Sequence, residues 1–262
     1  MQGTDVASYQ TGIDYARARD EAGIRFVIVK TTDGGSYVNP EAHAQINAAF
    51  KAGLCLGYYL FWRQEWGDTY QAAHFWRVTQ PYWAVGERIA LDVEQPDDDP
   101  TPLPPDTADR VYVTLCEMER LSGVTPELYI NRDLAARYFN DPRFARFGLW
   151  LAAWGTVRPA APPPWDRITI WQHSGGAQIP GIGWADGDEF DGTPEDWRGV
   201  GATVQPQQPG GAMMEPVITE RTDWGGAGVI IEESVIVQNT ETKYIYTRSK
   251  VNGVMGEWEM IV

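Results

Sequence analysis

Short apolar runs alternate with amphipathic stretches of helical length over roughly the first three-quarters of the chain. Arg25–Lys30 (RFVIVK) is rich in β-branched residues and reads as a strand. Pro40–Ala52 opens on proline and is stopped by Gly53, the end-signals of a helix. Leu54–Trp62 is the next strand and Asp68–Thr79 the next helix. Arg88–Glu94 (RIALDVE) is a strand that runs into an acidic, proline-rich loop, Gln95–Pro105, and Asp106–Leu121 is a helix. Glu127–Ile130, Gly148–Trp154 and Arg167–His173 complete the strands. Alternating β and α elements predict an α/β fold on a parallel sheet, and closure into a barrel suits this length.

The pattern changes at Gly201–Pro216, where Gly, Pro and Gln dominate. Beyond it only strand-like runs follow: Val217–Thr219, Val229–Gln238 and Lys243–Arg248, with Asn252-Gly253 as a hairpin turn signal. The predicted organisation is therefore a barrel over 1–200, a linker over 201–216 and a small all-β module over 217–262. A module so short has a marginal core, so it is expected to dock or self-associate. Met213-Met214, at the end of the linker and just after Gly210-Gly211, raises an internal translation start as an alternative to simple packing.

Charge and composition narrow the function. The 262 residues carry 21 Lys and Arg against 36 Asp and Glu, a net charge of −15, with no basic cluster. Duplex nucleic acid is excluded as a partner on that ground. The longest apolar runs fall well short of the ~18 residues of a membrane span. Two cysteines, Cys55 and Cys116, are too few for a disulfide framework and read as buried thiols. His43, His74 and His173 lack metal-ligand spacing, so no metal and no cofactor is expected. Met1 leads straight into structured sequence without a basic and then apolar leader, which predicts synthesis in a cytoplasm. Twelve Trp, twelve Tyr and eight Phe suit both a core and flat surfaces for sugar rings.

The chemistry concentrates at Leu91-Asp92-Val93-Glu94. Residues two apart on a strand share a face, so Asp92 and Glu94 point together, with Cβ atoms about 6–7 Å apart. Carboxylates at the C-terminal end of a barrel strand are where such folds keep their chemistry. Two neighbouring acids repel, which raises one pKa and leaves the other ionised, the division of labour of glycoside hydrolysis. An isolated pair of this kind is more commonly a solvated strand end, so its neighbours matter.

Those neighbours are Gly3-Thr4-Asp5-Val6-Ala7-Ser8-Tyr9-Gln10 with Ile13-Asp14, then Lys30-Thr31-Thr32-Asp33-Gly34, Gly57-Tyr58-Tyr59-Leu60-Phe61, Leu149-Trp150-Leu151-Ala152, Trp171-Gln172 and Gly183-Trp184-Ala185-Asp186. In this order, over about residues 3–197, they resemble the family 25 glycoside hydrolases, the Chalaropsis-type lysozymes of bacteria and phage endolysins. The resemblance implies an irregular, flattened (β/α) barrel with an acidic groove. It implies cleavage of the β-1,4 bond between N-acetylmuramic acid and N-acetylglucosamine in bacterial peptidoglycan. Glu94 matches the general acid, expected to have a raised pKa, and Asp92 the second acid. Asp5 and Asp186 match the other groove acids, and Tyr59 a tyrosine of the reactive subsite. Asp33, Trp154, Tyr129 and Trp171 complete the expected groove. The substrate's 2-acetamido group is the expected nucleophile, giving retention.

Leu60 stands where the family commonly has His, a change expected to alter the groove's hydrogen bonds; Ala7, Asp33 and Trp154 also depart from the usual residues. The implied protein is a phage or prophage lysin released through a holin-type pore, or a virion component. Its C-terminal module would bind a wall polymer or a second copy. The rival reading is a non-hydrolytic carbohydrate-binding or phage-tail structural protein with a degenerate groove.

Overall fold

Alternation of side chains along eight strands gives this chain two cores, one inside a barrel and one around it. The computed structural model describes residues 1–83, 87–95, 102–199, 231–238, 243–251, 254–255 and 259–260. The linker, Met213-Met214, the run Val217–Thr219 and most of the acidic loop after Gln95 lie outside the described residues.

In chain order the first unit runs β1 (Gln2–Val6), α1 (Tyr15–Ala22), β2 (Ile24–Asp33), β3 (Tyr37–Val38), α2 (Ala42–Lys51), β4 (Cys55–Phe61) and α3 (Asp68–Thr79). It continues with β5 (Arg88–Asp92), α4 (Thr107–Ser122), β6 (Glu127–Asn131), α5 (Arg132–Tyr138), β7 (Gly148–Ala152), β8 (Ile170–Ile179), β9 (Gly183–Phe190) and α6 (Pro194–Gly199). The sheet order is β1-β9-β8-β7-β6-β5-β4-β2, and pairing of β1 with β2 closes it, with β3 appended to β2. Neighbours are parallel except β9, which runs antiparallel to both β8 and β1. The result is the α/β barrel expected from the alternation.

Inward positions Phe26, Ile28, Tyr59, Ala90, Tyr129, Trp150, Ile170 and Phe190 form one buried cluster. Their outward neighbours Val27, Val29, Leu60, Leu91, Leu128, Leu149 and Leu151 pack with the helices in the other. Strand period and helix period therefore meet at a single surface, the outer wall of the barrel. The helix ends follow local chemistry. Asp14 accepts from the Arg17 amide to cap α1, and Gly23 and Gly123 close α1 and α4 in the left-handed region. At the N-terminal end of the strands Arg88 and Glu127 form a buried ion pair. Gly148 makes room for it, since a Cβ there would lie 2.9 Å from Glu127 Cγ.

Three features differ from the sequence reading. Strands β1 and β9 escaped it because their inward positions carry acids rather than apolar residues. Predicted strand 167–173 begins at Ile170 and extends to Ile179. Cys55 is buried as expected, but Cys116 is only half-buried; His74 is buried against the Tyr37 carbonyl. Among the described residues no helix is long and apolar enough to cross a membrane.

The chain divides by its contacts into Met1–Val204 and Gln205–Val262. In the second unit β10 (Ile231–Gln238) and β11 (Lys243–Val251) pair antiparallel. The short strands β12 (Val254–Met255) and β13 (Glu259–Met260) both pair with β11. Val251 opposes Val254; Asn252-Gly253 lies outside the described residues. Tyr244 and Tyr246 occupy alternate positions of β11, opposite Val237 and Val235; Trp258 lies outside the described residues.

Gly181, in the turn between β8 and β9, tests how rigidly this barrel is tied. It has φ +83°, and a Cβ there would lie 2.3 Å from the Asp14 carbonyl oxygen, a backbone atom that cannot swing away. Gly181→Ala is expected to cost about 2 kcal/mol or more, lowering Tm by roughly 5 °C for a unit of this size. An unchanged melting curve would show that this turn is not held against α1.

Candidate active site

Strand parity carries acidic side chains to the C-terminal mouth of the barrel. There Asp5 from β1, Asp92 at the end of β5, Glu94 just beyond it and Asp186 from β9 line one cleft of about 430 Å³. Tyr59, Tyr129, Trp150 and Gln172 form its deeper surface, and Lys30, Asp33, Phe61 and Arg63 line another part. A cavity of about 510 Å³ around Arg88 and Glu127 lies at the opposite end of the strands. Its two buried charges, Arg88 and Glu127, are paired with each other, so the acidic mouth is the chemically competent site.

Asp92 and Glu94 face the cleft together, as their spacing requires. Asp92 is buried and Glu94 is half-exposed. Oδ1 of Asp92 is enclosed by protein yet accepts from no donor. Burial, then the Glu94 charge and a hydrogen bond shared with Glu94, push the Asp92 carboxyl well above its ordinary range, against a smaller downward pull from Lys30. This shift favours one proton shared by the two carboxyls over two adjacent carboxylates. The sequence places a raised pKa on Glu94; the structure shows a raised pKa on its partner Asp92, the more deeply buried of the two.

A second carboxyl pair lies alongside. Asp188 is fully buried, and its Oδ1 accepts from Trp150 Nε1 at 2.9 Å. Its Oδ2 is buried without a hydrogen-bond partner of ordinary geometry, and the Asp5 side chain and amide lie beside this carboxyl and pull its pKa down against burial. Burial lifts the Asp188 carboxyl to about 7. Asp5 is raised well above its ordinary range by burial and then by the charges of Asp188 and Asp186, against a hydrogen bond from Gln172. Asp186, less enclosed, is raised by burial as well. Beside Asp186 in the sequence, Asp188, Glu189 and Asp191 read as rim acids; β9 parity with Asp186 places Asp188 inside the barrel instead.

Gln172 joins these parts. Its Nε2 donates to Asp5 Oδ2 at 3.0 Å, and its Oε1 accepts from Tyr129 Oη at 3.0 Å and Trp154 Nε1 at 3.2 Å. Burial first, then the surrounding acids, hold the Tyr59 hydroxyl far above its usual pKa. It therefore remains an O–H donor at any working pH. Asp33 reaches the cleft but is no free acid. Lys30 Nζ lies 2.9 Å from Oδ2, and Arg63 Nε 2.6 Å from Oδ1. Burial pushes Asp33 up, but these two cations outweigh it and leave the carboxyl lowered.

Two expected groove features move elsewhere. Trp171 is an outward position of β8, buried in the outer core with Nε1 on the Ala153 carbonyl; its neighbour Gln172 is the groove residue. Leu60 is likewise outward and fully buried. Its presence in place of His therefore does not touch the groove's hydrogen bonds. Trp154 is 71% exposed and lies over Gly175 beside the cleft. Lys30, Arg63 and Asp188 were missed, although the inward parity of Lys30 on β2 was readable. Among the described residues no group of three His, Cys, Asp or Glu side chains could hold a metal ion.

The chain matches the family model described as glycosyl hydrolases family 25 over residues 4–182. It is 30% identical over 192 residues to the N,O-diacetylmuramidase of Chalaropsis sp., covering 66% of this chain and 88% of that protein. Its fold superposes on a family 25 lysozyme from Aspergillus fumigatus with a TM-score of 0.68 at 26% identity, covering 76% of this chain and 98% of the other. The bacterial lysozyme from Streptomyces coelicolor superposes with a TM-score of 0.70 at 22% identity, covering 78% and 98%.

The buried Asp188 proton has a consequence for stability. Folded, Asp188 holds its proton up to about pH 7, whereas an unfolded aspartate releases it near pH 4. The folded state therefore binds more protons between these values, and stability falls as pH rises through that window. Asp188→Asn keeps an acceptor for Trp150 and removes the titrating carboxyl. Relative to the parent, Asp188→Asn is expected to gain about 3 °C or more in Tm between pH 4 and pH 8. Parallel Tm–pH curves would contradict a buried proton at this position.

Proposed function

The chain belongs to the family 25 glycosyl hydrolases, and we propose that it is a peptidoglycan muramidase that cleaves the β-1,4 bond from N-acetylmuramic acid to N-acetylglucosamine. The observation that carries this is the Asp92–Glu94 carboxyl pair, with its buried, donor-less oxygen, set in an acidic cleft at the barrel mouth. The muramidase and lysozyme names of the related proteins support the choice of substrate.

Glu94, the more exposed member, is the general acid that gives its proton to the leaving oxygen. Losing that proton leaves two adjacent carboxylates, which would be costly in the free enzyme. As the glycosidic bond breaks, positive charge grows on the sugar next to Asp92 and Asp5, and this attraction offsets the repulsion. Asp92 thus works as the electrostatic partner of the forming cation and of the substrate acetamido group. Tyr59 supplies a hydroxyl that stays protonated.

The geometry also bears on stereochemistry. Acids that invert stand about 6.5–9.5 Å apart with water between them. Carboxyls sharing a hydrogen bond leave no such space and sit on one side of the bond. The attacking group is then the 2-acetamido oxygen, which bonds to C1 as Glu94 protonates the departing oxygen. Water next opens the cyclic intermediate, with the Glu94 carboxylate taking its proton, and the β configuration is retained. The same reading makes the protein a phage or prophage lysin that reaches the wall by holin-type release or from a virion. Residues 217–262 would then hold the wall or a second copy.

Release of reducing ends from purified cell walls tests the activity. Glu94→Gln is expected to lower turnover at least about 100-fold with an unchanged melting curve. NMR of the first products should show the β anomer. Near-parental lysis by Glu94→Gln would remove the acid assignment, and α product would replace the acetamido route with direct attack by water.

A further inference from the structure

A second, shallower pocket of about 540 Å³ lies beside the cleft. Tyr9 and Trp184 wall it, Gly175 and Gly176 leave one side without side chains, and Tyr9, Gln10 and Asp186 line both this pocket and the cleft. The two spaces are therefore continuous. Tyr9 is 89% exposed and Trp184 69% exposed. One exposed aromatic needs no explanation. Two on one pocket, held by specific anchors, are a different matter.

The anchors are on both walls. Gln45, buried beneath the Tyr9 loop, donates to the carbonyls of Ala7 and Gln10, each at 2.7 Å. The Gln10 side chain accepts from the Ala7 amide at 3.0 Å and donates to the Trp184 carbonyl at 3.1 Å, tying one wall to the other. The Asp14 amide on the Gly181 carbonyl, at 2.8 Å, fixes the turn behind Trp184. The backbones that carry the two aromatics are thus fixed, which reduces the ordering cost of binding.

We propose that Tyr9 and Trp184 form a distal sugar subsite that takes a further N-acetylglucosamine unit of the same glycan strand, so that long strands are preferred to short ones. Flat aromatic faces suit the C–H face of a pyranose ring, and Thr11 adds a hydroxyl at the pocket edge. An uncharged sugar is favoured over a stem peptide because the adjoining acids of the cleft repel peptide carboxylates. The inference rests on the muramidase reading of the cleft.

The test compares the full chain with Trp184→Ala and Trp184→Phe on long peptide-free glycan strands, on a peptide-free tetrasaccharide and on long peptide-bearing strands. Trp184→Ala should raise KM about tenfold on long strands with kcat held. The penalty should shrink on the tetrasaccharide, and Trp184→Phe should restore most of the loss. Equal penalties at both lengths, or none, overturn the subsite. A penalty confined to peptide-bearing strands assigns the pocket to the stem and overturns the sugar. If the parent cleaves neither length, the muramidase reading has failed instead. Calorimetry of uncleaved long strands then decides the subsite alone: weaker binding by Trp184→Ala supports it, and equal binding overturns it.

Discussion

Five carboxyl groups share the mouth of one barrel with too few hydrogen-bond donors to satisfy them as anions. Asp92 Oδ1 and Asp188 Oδ2 are both buried without a hydrogen-bond partner of ordinary geometry, and each carboxyl has another beside it. An unpaired buried charge costs far more than a shifted pKa. Two retained protons, one in each pair, are the cheapest way to close this account. Everything else at the site follows from that: Gln172 and Trp150 are oriented to donate to the acids, and Tyr59 is kept protonated beside them. In the proposed mechanism, the proton given to the leaving oxygen is one that the fold itself retains.

Strand parity made most of this legible before any coordinates. Asp92 and Glu94 are two apart on a strand, and they do face the cleft together. The same rule, applied along β8, puts Gln172 inside and Trp171 in the outer core. Applied along β4 it puts Tyr59 inside and Leu60 outside, so the residue that departs from the family pattern packs against helices rather than substrate.

What parity could not reach was set by partners distant in sequence. Asp33 reads as one more groove acid until Arg63, thirty residues away, is seen to occupy it with Lys30. Asp188 reads as a rim acid because β9 lacks the apolar alternation of a strand. Its burial depends on Trp150, which donates from β7. Strands β1 and β9 were hidden for the same reason, since the residues they send inward are the acids themselves. The functional positions are the ones where the apolar pattern fails.

The central claim is that the mouth holds two carboxyl protons near neutral pH. Carbon-13 NMR of the side-chain carboxyls, titrated from pH 3 to pH 9 and assigned by substitution, reads it most directly. Asp188 should titrate with a midpoint near 7, and Asp92 should keep proton occupancy well above the pH at which an ordinary aspartate is ionised. If both instead titrate as ordinary aspartates near pH 4, the two pairs share no protons and this account of the site is wrong.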